Sequence, residues 1–149
     1  MDQPWLNEPD FAKWRDPATG LLCAIVRQKD MQFLCGYVQI PFGKLRKKIL
    51  RIRRIPGRYE YVLLRGIEAH GGLSFFGFHK NYRLSRGYWI GFDCAHAYDF
   101  MPGMMALLNS LQAHSGDFMR HDTYRDFAYV KAEVTDLARQ VARIEKKQI

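Results

Sequence analysis

No apolar run in these 149 residues approaches the roughly 20 that a membrane-spanning helix needs, so a transmembrane segment is not expected. The start, Met1-Asp2-Gln3-Pro4-Trp5, lacks a basic stretch followed by an apolar core. No secretory signal is therefore expected, and the expected compartment is the cytoplasm. Cysteine is scarce. Cys23, Cys35 and Cys94 make an odd count with no C-x-x-C spacing, which argues against a disulfide framework or a zinc knuckle. Catalytic signatures are missing too: there is no H-E-x-x-H, no paired H-x-T and no serine in a nucleophile elbow. Cys94 beside His96 matches no local nucleophile pattern. Internal repeats and low-complexity tracts are also lacking. The most telling absence is acid: between Lys44 and Arg58 there is none.

That acid-free stretch holds Lys44, Arg46, Lys47, Lys48, Arg51, Arg53, Arg54 and Arg58. The remaining 15 Lys and Arg balance the 15 Asp and Glu, so the whole net charge of +8 resides in one segment. On a helical wheel Leu45, Ile49 and Ile52 share one side, while Lys44, Lys47, Lys48, Arg51 and Arg54 cover the other. Pro56-Gly57 supplies a stop. Cations this dense repel one another unless something negative meets them.

The rest of the chain suits one domain, 1–149, with 48% hydrophobic residues, too rich for disorder. Residues 1–19 read as an irregular arm whose Trp5, Phe11 and Trp14 pack onto the body. Gly20–Arg27 and Gln32–Ile40 read as a β-hairpin, apolar on both faces and so covered on both. A turn centred on Lys29 would set Cys23 opposite Cys35, as a pair of buried thiols. A basic helical insertion over 44–58 follows. Glu60–Ala69 reads as a third strand, Phe76–Gly87 as a polar, basic connection, and Tyr88–Cys94 as a fourth strand. Met101–Gln112 contains a short apolar helix. Finally, Thr123 with Asp126 resembles a capping box, opening a C-terminal helix over 122–147. Its stripe of Phe127, Val130, Val134, Leu137, Val141 and Ile144 can pack across the sheet or seat a homodimer. The expected fold is α+β: an antiparallel sheet of about four strands, the long C-terminal helix and a short basic helix.

Two apolar runs end in polar clusters, His70-Gly71-Gly72 and Asp93-Cys94-Ala95-His96-Ala97-Tyr98-Asp99. On neighbouring strands they would bring His70, Asp93, His96 and Asp99 to one sheet edge. Imidazole–carboxylate pairs can do acid–base work, and His70, Asp93 and His96 can ligate a metal. The same residues can equally tie a loop by hydrogen bonds. Gly71 and Gly72 can form an anion nest, with Lys80, Arg83 and Arg86 neutralising phosphates, or can make a plain turn.

In order along the chain, Gly36-Tyr37-Val38, His70-Gly71-Gly72-Leu73-Ser74, Trp89-Ile90-Gly91-Phe92-Asp93-Cys94-Ala95-His96-Ala97 and Thr123-Tyr124-Arg125-Asp126 with Ala128-Tyr129-Val130 carry a likeness. From about Leu21 to Leu137 the chain resembles a family of small proteins of unassigned function encoded mainly by bacteriophages and prophages. The resemblance implies a phage or mobile-element origin and transfers no activity. Relatives tend to have Pro-Pro-Gly-His where this chain has Pro41-Phe42-Gly43-Lys44, and Gly-Asp where it has Tyr98-Asp99. The basic segment looks particular to this protein.

The expectation is a phage-type accessory protein, acting in the cytoplasm of the infected host by binding and needing no cofactor. Its anionic partner would be a nucleotide signal, a nucleic acid or an acidic protein surface, and its effect inhibition of a bacterial defence such as CRISPR-Cas or cyclic-nucleotide signalling. The alternative is a small, metal-dependent or metal-free His/Asp hydrolase using His70, Asp93, His96 and Asp99 on a phosphorylated or nucleotide substrate.

Overall fold

The computed structural model describes residues 3–57, 59–78, 83–111 and 122–148. Five strands form one antiparallel sheet: β1 (Phe11–Arg15), β2 (Leu22–Arg27), β3 (Leu34–Gln39), β4 (Phe75–Phe78) and β5 (Tyr88–Asp93), in the order β1-β2-β3-β5-β4. Among the described residues three α-helices accompany it: α1 (Lys44–Arg53), α2 (Pro102–Ser110) and α3 (Phe127–Lys146). After β3 the chain leaves the sheet to build α1. It then adds β4 at the far edge and returns with β5 between β4 and β3. The class is α+β, with one strand more than the sequence reading. Among the described residues no helix is long and apolar enough to cross a membrane.

Alternation along the strands decides which face each side chain takes. Cys23, Ile25, Leu34, Val38, Ile90 and Phe92 meet Val130, Val134, Leu137 and Val141 of α3 in the main core. Each fully buried aliphatic or aromatic side chain stabilises the fold by about 1.5–3 kcal/mol. Gly36 sets how close α3 can come, because a Cβ there would strike Val134 and the Phe92 ring. The opposite sheet face is covered as well, by Trp89, Ala24 and Leu84 with Phe11, Val26, Tyr37 and Phe75. The α3-facing side of the β2–β3 hairpin is thus buried, its other side is half-buried at Leu22, Val26, Cys35 and Tyr37, and the stripe of α3 packs on the chain's own sheet.

Several expectations need correcting. The N-terminal arm is not irregular throughout: Phe11–Arg15 pairs with β2, Trp14 opposite Cys23. Residues 60–64 form a 3-10 helix, not a strand, and the connection expected from Phe76 begins instead with β4. The hairpin turn runs from Gln28 to Phe33, so Cys23 pairs with Val38 and Cys35 with Val26. The two thiols therefore do not face each other. Asp126, not Thr123, caps α3, its carboxylate accepting from the Tyr129 N–H at 2.8 Å. Thr123 bridges to Asp99 instead. The basic helix ends at Arg53, short of Pro56-Gly57, and Arg58 lies outside the described residues.

The arm matters through Glu8. Its carboxylate accepts from the Tyr124 hydroxyl at 2.6 Å and from the Phe127 N–H at 2.7 Å, at the start of α3. Arg27, buried at the end of β2, donates to Asp10 at 2.9 Å, to the Tyr124 hydroxyl at 2.8 Å and to Glu8 at 3.3 Å. Burial alone would lower the pKa of Arg27, but these hydrogen bonds win and raise it. A buried cation so completely partnered ties arm, sheet and helix together.

Candidate functional site

At the C-terminal end of β5 the chain turns through Ala95–Tyr98 and brings Asp99 beneath His70. His70 Nε2 donates to the Asp99 carboxylate at 2.8 Å, and Nδ1 lies 2.8 Å from the Tyr129 hydroxyl, which itself donates to Glu133 at 3.1 Å. Arg125 Nε donates to Asp99 at 2.9 Å and the His96 N–H at 3.0 Å. The Asp99 side chain is 1% exposed. Burial pushes its pKa up, yet the donors from His70, Arg125 and the His96 backbone outweigh that and hold it below the usual carboxylate value. All the ring and carboxylate positions of this pair are engaged by protein partners, so its evident work is to hold the β5 turn against α3.

The second pair is looser. His96 Nε2 stands 3.4 Å from Asp93, too poorly aligned for a hydrogen bond, and is buried without another partner. Its ring lies against Gly71, where any Cβ would collide with it. The two imidazoles are 6.0 Å apart, centre to centre. Asp93 and His96 line a cavity of about 550 Å³ with Cys35, Tyr37 and Ser74. Burial pushes the Cys35 thiol up to about 12 and raises Cys94 as well, so neither offers a thiolate nucleophile near neutrality. The expected gathering of His70, Asp93, His96 and Asp99 is thus observed. Among the described residues, however, no three His, Cys, Asp or Glu side chains are grouped so as to hold a metal.

The motif residues converge on this place. Thr123-Tyr124-Arg125-Asp126 sends successive side chains to different tasks: Tyr124 to Glu8 and Arg27, Arg125 to Asp99, Asp126 to the α3 cap. Gly71 and Gly72 both have positive φ, +69° and +87°, but the Gly72 N–H donates to the Ala69 carbonyl at 2.8 Å. They form a turn that seats His96, and not an open nest. Arg83 rests over the Phe11 ring at 5.3 Å, and Lys80 lies outside the described residues.

The basic helix presents a different surface. Leu45 and Ile49 are buried, which fixes the rotation of α1 and leaves Lys44, Lys47, Arg51 and Arg54 exposed. Among the described residues none of those four side chains has a carboxylate partner. Lys48 donates to Gln148 at 2.8 Å. The N-terminus of α1 is closed by Glu145 of α3, which accepts from the Lys44 and Leu45 N–H groups at 3.1 and 3.0 Å. Arg46 and Arg53, seven residues apart on one side, lie over aromatic rings: Arg46 over Phe42 at 4.4 Å, Arg53 over Phe78 and Tyr88 at 5.5 and 5.4 Å. Sequence reading missed the part played by Phe42, which looked like a turn residue in Pro41-Phe42-Gly43-Lys44. A separate cluster, Arg139, Arg143 and Lys146, lines a cavity of about 320 Å³ in the last turns of α3, where cations suit the helix dipole. No family model, no curated protein and no solved structure matches this chain.

Proposed function

We propose that the protein acts by binding an anionic partner across the exposed face of α1, and not by turnover. One observation carries this reading: Lys44, Lys47, Arg51 and Arg54 crowd one helix face with no carboxylate opposite among the described residues. Holding like charges within two or three turns is costly without an external anion, and a concentrated field speeds encounter with one. The motif resemblance supports a phage or prophage accessory protein. A small anion binder of that origin would suit inhibition of a bacterial defence, CRISPR-Cas or cyclic-nucleotide signalling among them, in the cytoplasm of the infected host.

A second reading, the small His/Asp hydrolase acting on a phosphorylated or nucleotide substrate, draws on the cavity beside Asp93 and His96. The unpartnered His96 Nε2 is its one support. Heparin chromatography with a salt gradient tests both. Reversing Lys47, Arg51 and Arg54 to Glu changes the charge by two at each site, from +8 to about +2. The reversed protein is expected to elute at distinctly lower salt, and Asp93→Ala/His96→Ala, if folded by circular dichroism, to elute with the wild type. Unchanged retention of the reversed protein would overturn the α1 reading. Phosphoesterase activity abolished by Asp93→Ala/His96→Ala would favour the hydrolase.

A further inference from the structure

Phe42, Arg46, Phe78, Arg86 and Gly87 line a cavity of about 380 Å³ between the start of α1 and the β4–β5 edge of the sheet. Three features of it go unexplained by folding. Phe42 is 72% exposed and Phe78 49%, two large apolar rings left in water beside one cleft. The Nε of Arg46 is buried yet has no acceptor, one of two such side-chain atoms among the described residues. Its guanidinium lies over the Phe42 ring, so a ring face and a cation meet at the same wall. The opposite wall is rigid: Gln39 Nε2 donates to the Arg86 carbonyl at 2.7 Å, and a Cβ at Gly87 would strike that same amide.

We infer that this cleft takes one nucleotide of a single-stranded nucleic acid, its base against Phe42 and Phe78 and its phosphate on Arg46 and Arg86. The inference rests on the anion-binding reading of α1 and names the ligand. Chemistry discriminates among the anions that α1 alone would accept. An acidic protein surface would use the cations and leave the two rings idle. A duplex keeps its base faces stacked inside. A single strand offers both a flat π face, which stacks on aromatic side chains, and a phosphate, which the guanidinium groups of Arg46 and Arg86 on the cleft wall are suited to bind. The volume lies within the range of small-molecule sites. From the cleft, the exposed Lys47, Arg51 and Arg54 of α1 continue the positive surface along which a strand's neighbouring phosphates would run.

Fluorescence anisotropy separates the possibilities, using oligo(dT) of about twelve nucleotides, an abasic deoxyribose-phosphate strand of equal charge, and dTMP. The wild type is expected to bind oligo(dT) about tenfold more tightly than the abasic strand, and Phe42→Ala to close that gap. Phe42 is largely exposed, so this variant should melt with the wild type; Phe78→Ala supplies an independent check. Equal affinity for oligo(dT) and the abasic strand, or a gap untouched by both ring variants, would overturn the cleft. If α1-dependent heparin retention persisted in that case, the anion-binding reading would stand alone. If that dependence failed as well, both would fall. Binding of dTMP as tight as that of oligo(dT) would overturn the assignment to a strand.

Discussion

Tyr98 shows how much a single backbone angle can explain. Its φ is +71°, in the left-handed region that costs an L-residue about 1–2 kcal/mol and costs glycine nothing. The side chain is 71% exposed, so no packing compensates for the strain. The turn cannot simply relax, because the next residue is Asp99, held by His70, Arg125 and the His96 N–H. Tyr98→Gly is expected to stabilise the protein by about 1 kcal/mol, offset in part by the greater entropy of a glycine in the unfolded chain. Urea denaturation checks it through a higher midpoint at unchanged slope. A lower midpoint would mean that the Tyr98 ring makes a contact worth more than the strain.

At the scale of elements, α1 is the unusual helix. Its N-cap is Gly43, which offers no side-chain acceptor, and its first turn carries no acid. The missing cap comes from α3: Glu145 sits in that helix's last turn, where the dipole disfavours a carboxylate, and closes the N-terminus of α1 instead. A Cβ at position 43 would collide with Glu145, so the glycine makes room for the borrowed cap. Glu145→Ala is expected to cost about 1–2 kcal/mol and to speed amide exchange at Lys44 and Leu45 ahead of the rest of α1. Uniform exchange along the helix would show that the cap is dispensable. This division between local and borrowed chemistry marks what the sequence made legible. The stripe of α3, the rotation of α1 and strands β2, β3 and β5 follow from local periodicity, and they were readable. Residues 60–64 have a strand-like sequence, Tyr61-Val62-Leu63-Leu64, but the place beside β5 is taken by β4, and they form a 3-10 helix. β1 was hidden because its pattern is short and bracketed by prolines. The gathering of His70, Asp93, His96 and Asp99 was expected from two strand ends, but only β5 is a strand, and His70 follows a 3-10 helix and a turn instead. Their partners Arg125, Tyr129 and Glu133 were not expected, because they arrive from α3 and the segment just before it, after a long separation in sequence.

For the molecule as a whole the deciding quantity is where the charge of +8 lies. Along α1 the neighbours Lys44/Lys47, Lys44/Lys48, Lys47/Arg51, Lys48/Arg51 and Arg51/Arg54 are all like-charged at helical spacings of three or four. At a few tenths of a kcal/mol each, such pairs together destabilise the helix by about 1–2 kcal/mol at low salt. Burial of Leu45 and Ile49, the Glu145 cap, the Lys48–Gln148 hydrogen bond and the ring contacts of Arg46 and Arg53 hold it in place. Salt screens the repulsion over a distance that shrinks from about 30 Å at 0.01 M to a few ångströms near 1 M. Raising sodium chloride from about 0.01 to 0.5 M is therefore expected to lift Tm by about 2–6 °C in a chain of this length. Lys47→Glu/Arg51→Glu turns three of the repulsive pairs attractive, Lys44/Lys47, Lys48/Arg51 and Arg51/Arg54, and leaves 47/51 repulsive with its sign reversed. The salt dependence of that variant should flatten or change sign. Parallel salt curves for the two proteins would mean that the α1 cations are already compensated within the fold, and the case for an outside anion would lose its energetic basis.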